Sequence, residues 1–248
     1  MFQKVGQLLM LLWQTIQALP HLWRQRRKVL EQMFEIGNSS LLMACILSVF
    51  IGGVLALQTG PELVERGLGN LIGGIVGLSM CKELGPVMMS VLIAGRVGCA
   101  MAAEIGSMRV YQEIDALRTM NINPVHFLVL PRLAAISVCL PLLVLFSVLV
   151  GWTGGALVSN YNQSIMVSFT GYFSHLRETV DVIDVLNGLF KSWVFAVVVG
   201  IVSCNEGLRT TGGPRGIGVA VTKAVVYSIV LILILDYFVT RLLLPFNS

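Results

Sequence analysis

The feature that most limits the fold of this chain is a set of long segments without charged residues. No Asp, Glu, Lys or Arg occurs between Leu133 and Leu176, and none occurs between Ile36 and Thr59. A helix rises about 1.5 Å per residue, so about 20 apolar residues cross a hydrocarbon core about 30 Å thick. The apolar runs are continuous, whereas a transmembrane β-barrel alternates in segments of about ten residues. The sequence therefore predicts an all-α polytopic membrane protein.

The composition agrees with a chain whose surface mostly faces lipid. Charged residues make up 12% and hydrophobic residues 56% of the sequence, whereas a soluble domain carries about 25% charged residues. The five cysteines are scattered and form no Cys-x-x-Cys pair, so neither a disulfide framework nor a metal site is predicted. The net charge of +4 is small and dispersed, which gives no indication of a nucleic-acid partner.

Residues 1–35 are predicted to form an N-terminal region with an interfacial amphipathic helix. Leu9, Leu12 and Ile16 recur at three- and four-residue steps, which places them on one helical face. Two tryptophans and a basic cluster accompany this stripe: Trp13, Trp23, Arg24, Arg26, Arg27 and Lys28. Such a pattern is typical of a helix in the plane of the membrane interface, although a solvated basic linker is the alternative. Because Lys and Arg concentrate in cytoplasmic loops, the N-terminus is predicted to be cytoplasmic.

The rest of the chain, 36–248, is predicted to form one membrane domain with five spans. Their expected bounds are about 36–59, 75–103, 127–159, 185–204 and 219–243. Lys and Arg are concentrated in the connecting segments that this arrangement places inside, as the distribution of basic residues in membrane proteins requires. The odd number of spans places the C-terminus outside, opposite the N-terminus.

Several connecting segments carry expectations of their own. We interpret Gly67–Gly74 as a re-entrant or external piece, and Asn160–Asp184 as an external segment. We expect the second span to kink or break at Gly85-Pro86, because proline lacks a backbone donor and clashes with the preceding turn. The glycine-rich run Gly212–Gly218 follows no predicted strand and is interpreted as a flexible loop rather than a phosphate-binding loop.

Lys82 and Glu83 interrupt the apolar second span. Charged side chains inside a membrane are costly, so they usually face a cavity or a partner. Adjacent residues point about 100° apart on a helix and need not pair with each other. A binding site for the polar head of an amphiphile fits these residues, and a structural salt bridge between helices fits them equally well. Lys191 and Asp236 lie near the outer ends of their spans, where snorkelling is the simpler interpretation.

The end of the second span leads into a charged amphipathic segment, 107–120, which is predicted to be a cytoplasmic helix. Its apolar residues recur at three-residue steps and its polar residues carry both signs of charge: Met108, Tyr111, Ile114, Leu117, Arg109, Glu113, Asp115 and Arg118. Pro124 ends the segment. Arg96 and Glu104 precede this segment and lie about two helical turns apart. Both are interpreted as structural intramembrane charges.

Catalytic and cofactor motifs are not found in the sequence. There is no Gly-x-x-x-x-Gly-Lys-Ser/Thr loop to cradle a nucleotide, and the three histidines, His21, His126 and His175, are far apart. We therefore expect no catalytic site, no metal and no cofactor in this chain. If transport is active, its energy comes from another protein.

Five motifs follow one another in the middle of the chain: KELGP at Lys82–Pro86, AGRVG at Ala94–Gly98, AAEIGSMRV at Ala102–Val110, EIDAL at Glu113–Leu117 and Asn123-Pro124. In order and spacing they resemble the signature of the MlaE/YrbE permease family, the membrane subunits of ABC lipid transporters that work with MCE proteins. The resemblance is dense over about 75–135 and extends over nearly the whole chain. The family includes the chloroplast lipid importer.

The resemblance implies the partners and the place of the protein. Family permeases form homodimers, in which each subunit has five spans and an interfacial helix. A cytoplasmic ABC ATPase dimer binds ATP and Mg, and an MCE-domain substrate-binding protein forms a ring, expected to be hexameric. The cargo is phospholipid, a small ATPase-associated accessory protein is a further partner, and such systems maintain outer membrane lipid asymmetry. The expected location is the bacterial inner membrane, with a plastid inner envelope as the less favoured equivalent.

The resemblance also implies roles for particular residues. Gln58, Lys82, Glu83 and Leu84 are expected to line a lipid-binding cavity. The residues expected to couple the permease to the ATPase are Arg109, Glu113, Ile114, Asp115, Ala116 and Leu117. A basic residue before Glu-Leu-Gly-Pro is common in the family, and here it is lysine, which keeps the charge but lacks the planar fork of arginine.

The leading rival is an ion-coupled secondary transporter of an amphiphilic substrate. It would use Lys82, Glu83 and Asp236 as a proton or ion relay, and it would work without an ATPase. An intramembrane lipid-modifying enzyme requires a nucleophile beside a base, and the sequence offers no such pair. A scaffold without transport activity would use the intramembrane charges only as a structural salt bridge.

Overall fold

The computed structural model describes residues 2–18, 20, 22 and 25–244, and no strand occurs in this part of the chain. In chain order the α-helices are α1 (Phe2–Ala18), α2 (Arg26–Glu65), α3 (Ile72–Ser79), α4 (Gly85–Ile93), α5 (Cys99–Val110), α6 (Glu113–Thr119), α7 (Leu130–Tyr161), α8 (Phe169–Thr179), α9 (Val182–Leu208) and α10 (Gly213–Leu243). The prediction of an all-α protein is confirmed.

Five helical segments are long and apolar enough to cross a membrane, so the chain is a multi-pass membrane protein. They are Arg26–Glu65, Gly69–Val110, Val125–Tyr161, Val182–Leu208 and Gly213–Leu243. Each contains one predicted span and extends beyond it. The uncharged stretch marks only the part that hydrocarbon can surround, whereas the backbone hydrogen bonds of a helix continue through polar residues beyond that depth. The first span accordingly begins within the region predicted as 1–35, of which Trp23 and Arg24 lie outside the described residues.

The second span is helical throughout, without the break expected at Gly85-Pro86. Wider π-helical turns at Met80–Leu84 and Ala94–Gly98 join α3, α4 and α5. A π-turn changes the hydrogen-bond step from four residues to five, and here the amide of Gly85 donates to the carbonyl of Met80. A short 3₁₀ turn at Gly69–Leu71 precedes α3, so the glycines Gly73 and Gly74, interpreted as part of a re-entrant or external piece, belong to α3.

Two connecting segments contain more helix than the sequence analysis expected. The segment Asn160–Asp184 includes α8, which begins where the Ser168 hydroxyl accepts a hydrogen bond from the Gly171 amide at 3.2 Å. The run interpreted as a flexible loop, Gly212–Gly218, is mostly the first turns of α10, where proline at the start of a helix is favourable. Gly212 has φ of 88°, a left-handed conformation that glycine adopts at little cost.

The described chain divides into two compact units. The first comprises the residues up to Ser39 with Ser90–Leu140 and Trp193–Leu235, and the second comprises Ser40–Met89, Pro141–Ser192 and the residues from Asp236. The core of the first unit includes Leu11, Ile105, Ile114, Leu128, Val129 and Ile201. The core of the second includes Ala56, Ile72, Val76, Met80, Tyr172 and Leu176.

In the second unit, α2 and α7 approach closely along a row of small residues. A Cβ on Gly52 would collide with the backbone carbonyl of Gly151, and a Cβ on Gly154 would collide with the backbone of Val49. The hydroxyls of Ser48 and Ser147 form a hydrogen bond of 2.8 Å across the same contact. Small residues and interhelical hydrogen bonds are the usual means by which membrane helices associate.

Replacing Gly52 with alanine is expected to destabilise the protein by about 1–3 kcal/mol, because the added methyl group forces α2 and α7 apart. Gly37 is the matched control, since it lies in the same helix and a Cβ there meets no atom within 4 Å. Gly37→Ala is expected to stabilise by about 0.5–1 kcal/mol, because alanine restricts the unfolded chain and favours helix. Unfolding in detergent measures both variants, and effects of the same sign would contradict this account.

Candidate functional site

The candidate site is built around a backbone carbonyl that Pro86 leaves without its helical donor. In a regular helix the carbonyl of Lys82 accepts from the amide four residues later, but residue 86 is proline and has no N–H. The ammonium of Lys191, in α9, donates to this carbonyl at 2.9 Å. A sequence element that weakens the second span is thus compensated by a charged side chain from another span.

Lys191 is the buried centre of an ionic network. Its Nζ lies 2.8 Å from a carboxylate oxygen of Glu83 and 3.1 Å from one of Asp236, in α10. An ammonium has three N–H donors, and the carbonyl of Lys82 and these two carboxylates match that number. Lys191 is only 3% exposed, so it does not snorkel to a membrane surface. Asp236 does not need to snorkel either, because it pairs with Lys191.

Lys82 and Glu83 pair with different residues, as their 100° separation predicts. Lys82 Nζ lies 3.0 Å from a carboxylate oxygen of Asp184, at the start of α9. Glu83 pairs with Lys191 and also accepts a hydrogen bond from the Thr240 hydroxyl at 3.3 Å. A structural salt bridge and a binding site are therefore both compatible with these charges, because the interhelical salt bridges also form the wall of a cavity.

That cavity has a volume of about 300 Å³. Its lining combines charged, polar and apolar groups: Lys82, Glu83, Asn187, Lys191, Thr240, Leu243 and Leu244. The side chains of Lys82 and Glu83 remain 37% and 44% exposed, whereas that of Lys191 is 4% exposed. A polar ligand can therefore reach one cation and one anion directly, while Asp184 holds the Lys82 side chain and Lys191 holds that of Glu83. We call this cavity the charged cavity.

The structure does not place all four predicted cavity residues in this lining. Leu84 packs against the apolar core of the second unit. Gln58 is exposed on α2 and is not among the residues that line the charged cavity in the described chain. Lys82 and Glu83 alone of the four contribute to it.

Sequence reasoning missed the partners that complete the charged cavity. Asp184, Asn187 and Lys191 follow one another at steps of three and four residues, so they share one face of α9. Asp236 and Thr240 are likewise one turn apart in α10. Polar residues at helical spacing within two apolar spans are the signal that could have identified this site.

The predicted amphipathic segment 107–120 is two helical pieces rather than one. α5 ends at Val110, and Gln112 adopts a left-handed conformation with φ of 62° before α6 begins. This change of direction takes Tyr111 out of the expected apolar stripe and leaves it 68% exposed. Ile114 is 1% exposed and packs in the core of the first unit, with Leu117 packed against the same core.

Of the other predicted coupling residues, some form an ion pair and the others are exposed on the outer face of α6. Arg109 Nη1 lies 2.7 Å from a carboxylate oxygen of Asp115, which ties the end of α5 to α6. Arg118 contacts the same carboxylate at 3.5 Å. Glu113 and Ala116 are exposed. The result is a short helix that is anchored on one side and presents charged and apolar groups on the other.

Of the two predicted structural charges, Glu104 has a partner that the sequence analysis did not identify. Arg132 donates to a Glu104 carboxylate oxygen at 2.7 Å, and this contact joins α5 to α7 within the first unit. Arg96 lies in the π-turn Ala94–Gly98 and lines a small cavity with Glu104.

Comparison with known proteins gives the family. The sequence matches the family described as Permease MlaE over residues 29–242. A probable ABC transporter permease protein of Synechocystis sp. is 39% identical over 218 residues, which is 88% of this chain and 82% of that protein. A probable ABC transporter permease protein of Rickettsia typhi is also 39% identical, over 87% of this chain and 82% of its own length.

A plant protein is related as well. The Arabidopsis thaliana protein named Trigalactosyldiacylglycerol 1, chloroplastic, is 36% identical over 213 residues, which is 85% of this chain and 60% of that protein. The family match covers most of the chain and includes α6 and the charged and polar residues of the charged cavity, Lys82, Glu83, Asn187, Lys191 and Thr240. This chain belongs to the MlaE family of ABC transporter permeases.

Proposed function

We propose that this chain is the permease subunit of an ABC transporter that moves phospholipids or related lipids between the membrane and an MCE-protein channel. A separate cytoplasmic ATPase powers the movement, and the permease has no catalytic site of its own. Membership of a family of ABC transporter permeases supports an ATPase partner. A relative named for a galactolipid supports a lipid cargo.

The observation that carries the proposal is the charged cavity inside the apolar spans. Intramembrane charges are retained where a function needs them, and this cavity offers an accessible cation and an accessible anion in Lys82 and Glu83. A zwitterionic headgroup has the complementary charges, since its phosphate matches Lys82 and its amine matches Glu83. The leucines of the lining, Leu243 and Leu244, suit the beginning of acyl chains.

The exposed side of α6 is the proposed contact with the ATPase. Its outward groups include Glu113 and Ala116, and the exposed apolar residues Tyr111 and Met120 flank it. Ile114 links α6 to a core that also contains residues of α1, α5 and α9. Movement of an ATPase bound to α6 would therefore be transmitted to the spans of the first unit through packed side chains.

The proposed assembly contains a second copy of the permease, an ATPase dimer with its ATP and Mg, an MCE-domain ring, phospholipid and a small ATPase-associated accessory protein. The proposed location is the bacterial inner membrane, with the N-terminus cytoplasmic and the C-terminus periplasmic. α1 then lies in the cytoplasmic interface, for which the exposed apolar side chains of Leu9, Trp13 and Ile16 are suited.

Gentle-detergent purification of the native assembly tests the proposal. We expect an ATPase, an MCE-type protein and bound phospholipid in mass spectra of the purified material. We also expect lipid transfer from reconstituted vesicles to depend on ATP. A folded chain that purifies without an ATPase, and whose transport follows an ion gradient instead, would establish the secondary-transporter alternative.

A further inference from the structure

A second charged cavity lies in the first unit, where the first turns of α2 meet the beginning of α7. Its volume is about 220 Å³, and its walls include Lys28 and Glu31 on one side and Phe127, Pro131 and Arg132 on the other. Pockets for drug-sized ligands typically measure about 300–1,000 Å³, so this cavity suits a small polar group. None of its residues belongs to the charged cavity or to α6.

Arg132, one of the residues that line this cavity, has a donor without an acceptor. The residue is 8% exposed, and its Nη2 donates to Glu104 at 2.7 Å. Its Nη1 is buried, and no described residue accepts a hydrogen bond from it. Buried polar groups are nearly always paired, and leaving a charged donor unpaired is costly. A guanidinium that uses one nitrogen for a carboxylate can use the other for a second oxyanion.

Lys28 supplies a second cation to the same cavity. Its Nζ lies 3.2 Å from the centroid of the Phe127 ring, a cation–π contact that holds the ammonium beside the cavity wall. Together, Arg132 and Lys28 offer donors of the kind that bind phosphate, one planar and one a point charge. Glu31 adds an anion on the α2 side, which suits a ligand that carries an amine beside its phosphate.

The position of the cavity along the helices fits a lipid headgroup. α2 has 40 residues, and at about 1.5 Å per residue it is about twice as long as a hydrocarbon core is thick. Lys28 lies in its first turn, eight residues before the uncharged run that starts at Ile36. Arg132 immediately precedes the uncharged run that starts at Leu133. Both cations therefore lie where apolar spans end and headgroups begin.

We propose that this cavity binds the phosphodiester of a lipid headgroup, with Arg132 Nη1 and Lys28 Nζ as donors. The site is separate from the one proposed for transported lipid, and its occupation does not depend on transport. It would fix a lipid between the first turns of α2 and the beginning of α7.

A photoreactive lipid tests the site on the purified full chain. The probe is phosphatidylethanolamine with a diazirine near the glycerol end of one acyl chain, and peptide mass spectrometry locates the crosslinks. We expect crosslinks in the first turns of α2 and in Val125–Arg132. Lys28→Gln is expected to reduce them at least tenfold, because a charge-assisted contact is lost. Arg27→Gln, an equal loss of charge at an exposed neighbour, is expected to leave them unchanged.

Competition identifies what the cavity recognises. Unlabelled phosphatidylethanolamine is expected to displace the probe, whereas diacylglycerol with the same acyl chains is not, because it has no phosphate. Displacement by millimolar inorganic phosphate would support the phosphate site but assign it to the free anion rather than to a headgroup. Equal displacement by diacylglycerol, or equal labelling of Lys28→Gln and Arg27→Gln, would overturn the proposal.

A second variant covers the case in which Lys28→Gln does not fold. Arg132→Lys keeps a positive charge beside Glu104 but has no second guanidinium nitrogen to offer to a phosphate. We expect the crosslinks to fall at least tenfold in this variant, while labelling at the charged cavity, around Lys82, stays constant. Unchanged labelling of Val125–Arg132 in a folded Arg132→Lys protein would refute the assignment. A loss of labelling around Lys82 alone would concern the proposed transport site and not this one.

Discussion

Lys191→Met is expected to lower the free energy of unfolding by about 3 kcal/mol. Removing one partner of a buried ion pair costs about 3–5 kcal/mol, because the remaining charge stays in a poorly polarisable environment. The lower end of that range applies here, since Glu83 is partly exposed and can turn towards water or headgroups. The variant also leaves the carbonyl of Lys82 without the donor that replaces the missing amide of Pro86. Unfolding in mixed micelles of increasing denaturing detergent measures the loss.

Two further variants separate the loss of this network from the loss of any lysine. Lys223→Met removes an exposed lysine from α10, and surface changes of this kind usually stay within about 0.5 kcal/mol. Adding Glu83→Gln and Asp236→Asn to Lys191→Met removes the uncompensated charges, so we expect part of the stability to return. If Lys191→Met unfolds together with Lys223→Met, the network does not stabilise the fold.

The number of spans could be predicted from the sequence because hydrocarbon excludes charge over a fixed thickness. That constraint gives the depth of each span but not the ends of its helix. α2 begins at Arg26 and α9 continues to Leu208, both beyond the uncharged stretches. Outside the hydrocarbon, hydrogen bonding and capping decide where a helix ends, and these depend on neighbours that a one-dimensional pattern does not contain.

The charged cavity could be predicted only in part, for a similar reason. Lys82 and Glu83 stand in the middle of an apolar run, where no interface can receive them, so the sequence marked them. Lys191 and Asp236 lie near the ends of their spans, where a charged side chain can either snorkel to the interface or pair with another charge. Both possibilities give the same sequence pattern. Tertiary contact decides between snorkelling and pairing, and here it brings both residues to Glu83.

In the segment 107–120, the conformation of one residue decides whether the apolar repeat forms one helix or two. A three-residue repeat from Met108 to Leu117 describes one continuous helix only if every residue keeps helical φ. Gln112 has a positive φ, which asparagine, aspartate or glycine would have signalled more clearly than glutamine. The turn separates Tyr111 from Ile114, so one residue is exposed and the other is anchored in the core.

Glu113→Lys is expected to reduce ATP-dependent lipid transfer at least tenfold in the reconstituted assembly. Glu113 is exposed on the outer side of α6, and its change reverses the charge of the proposed ATPase contact. Placing like charges together at an interface costs several kcal/mol, and about 1.4 kcal/mol already corresponds to a factor of ten. Asp115 is less informative, because its replacement also breaks the ion pair with Arg109. Transfer of a fluorescent phospholipid, measured with ATP hydrolysis in the same sample, gives the coupling ratio.

The control is Glu62→Lys, an equal charge reversal at an exposed residue near the end of α2. Both variants are expected to unfold within about 0.5 kcal/mol of the unchanged protein, since neither residue is buried. A loss of transfer in Glu113→Lys alone therefore reports on the contact rather than on the fold. If the two variants transfer lipid at the same rate per ATP hydrolysed, α6 does not transmit the ATPase cycle, and another exposed segment must do so.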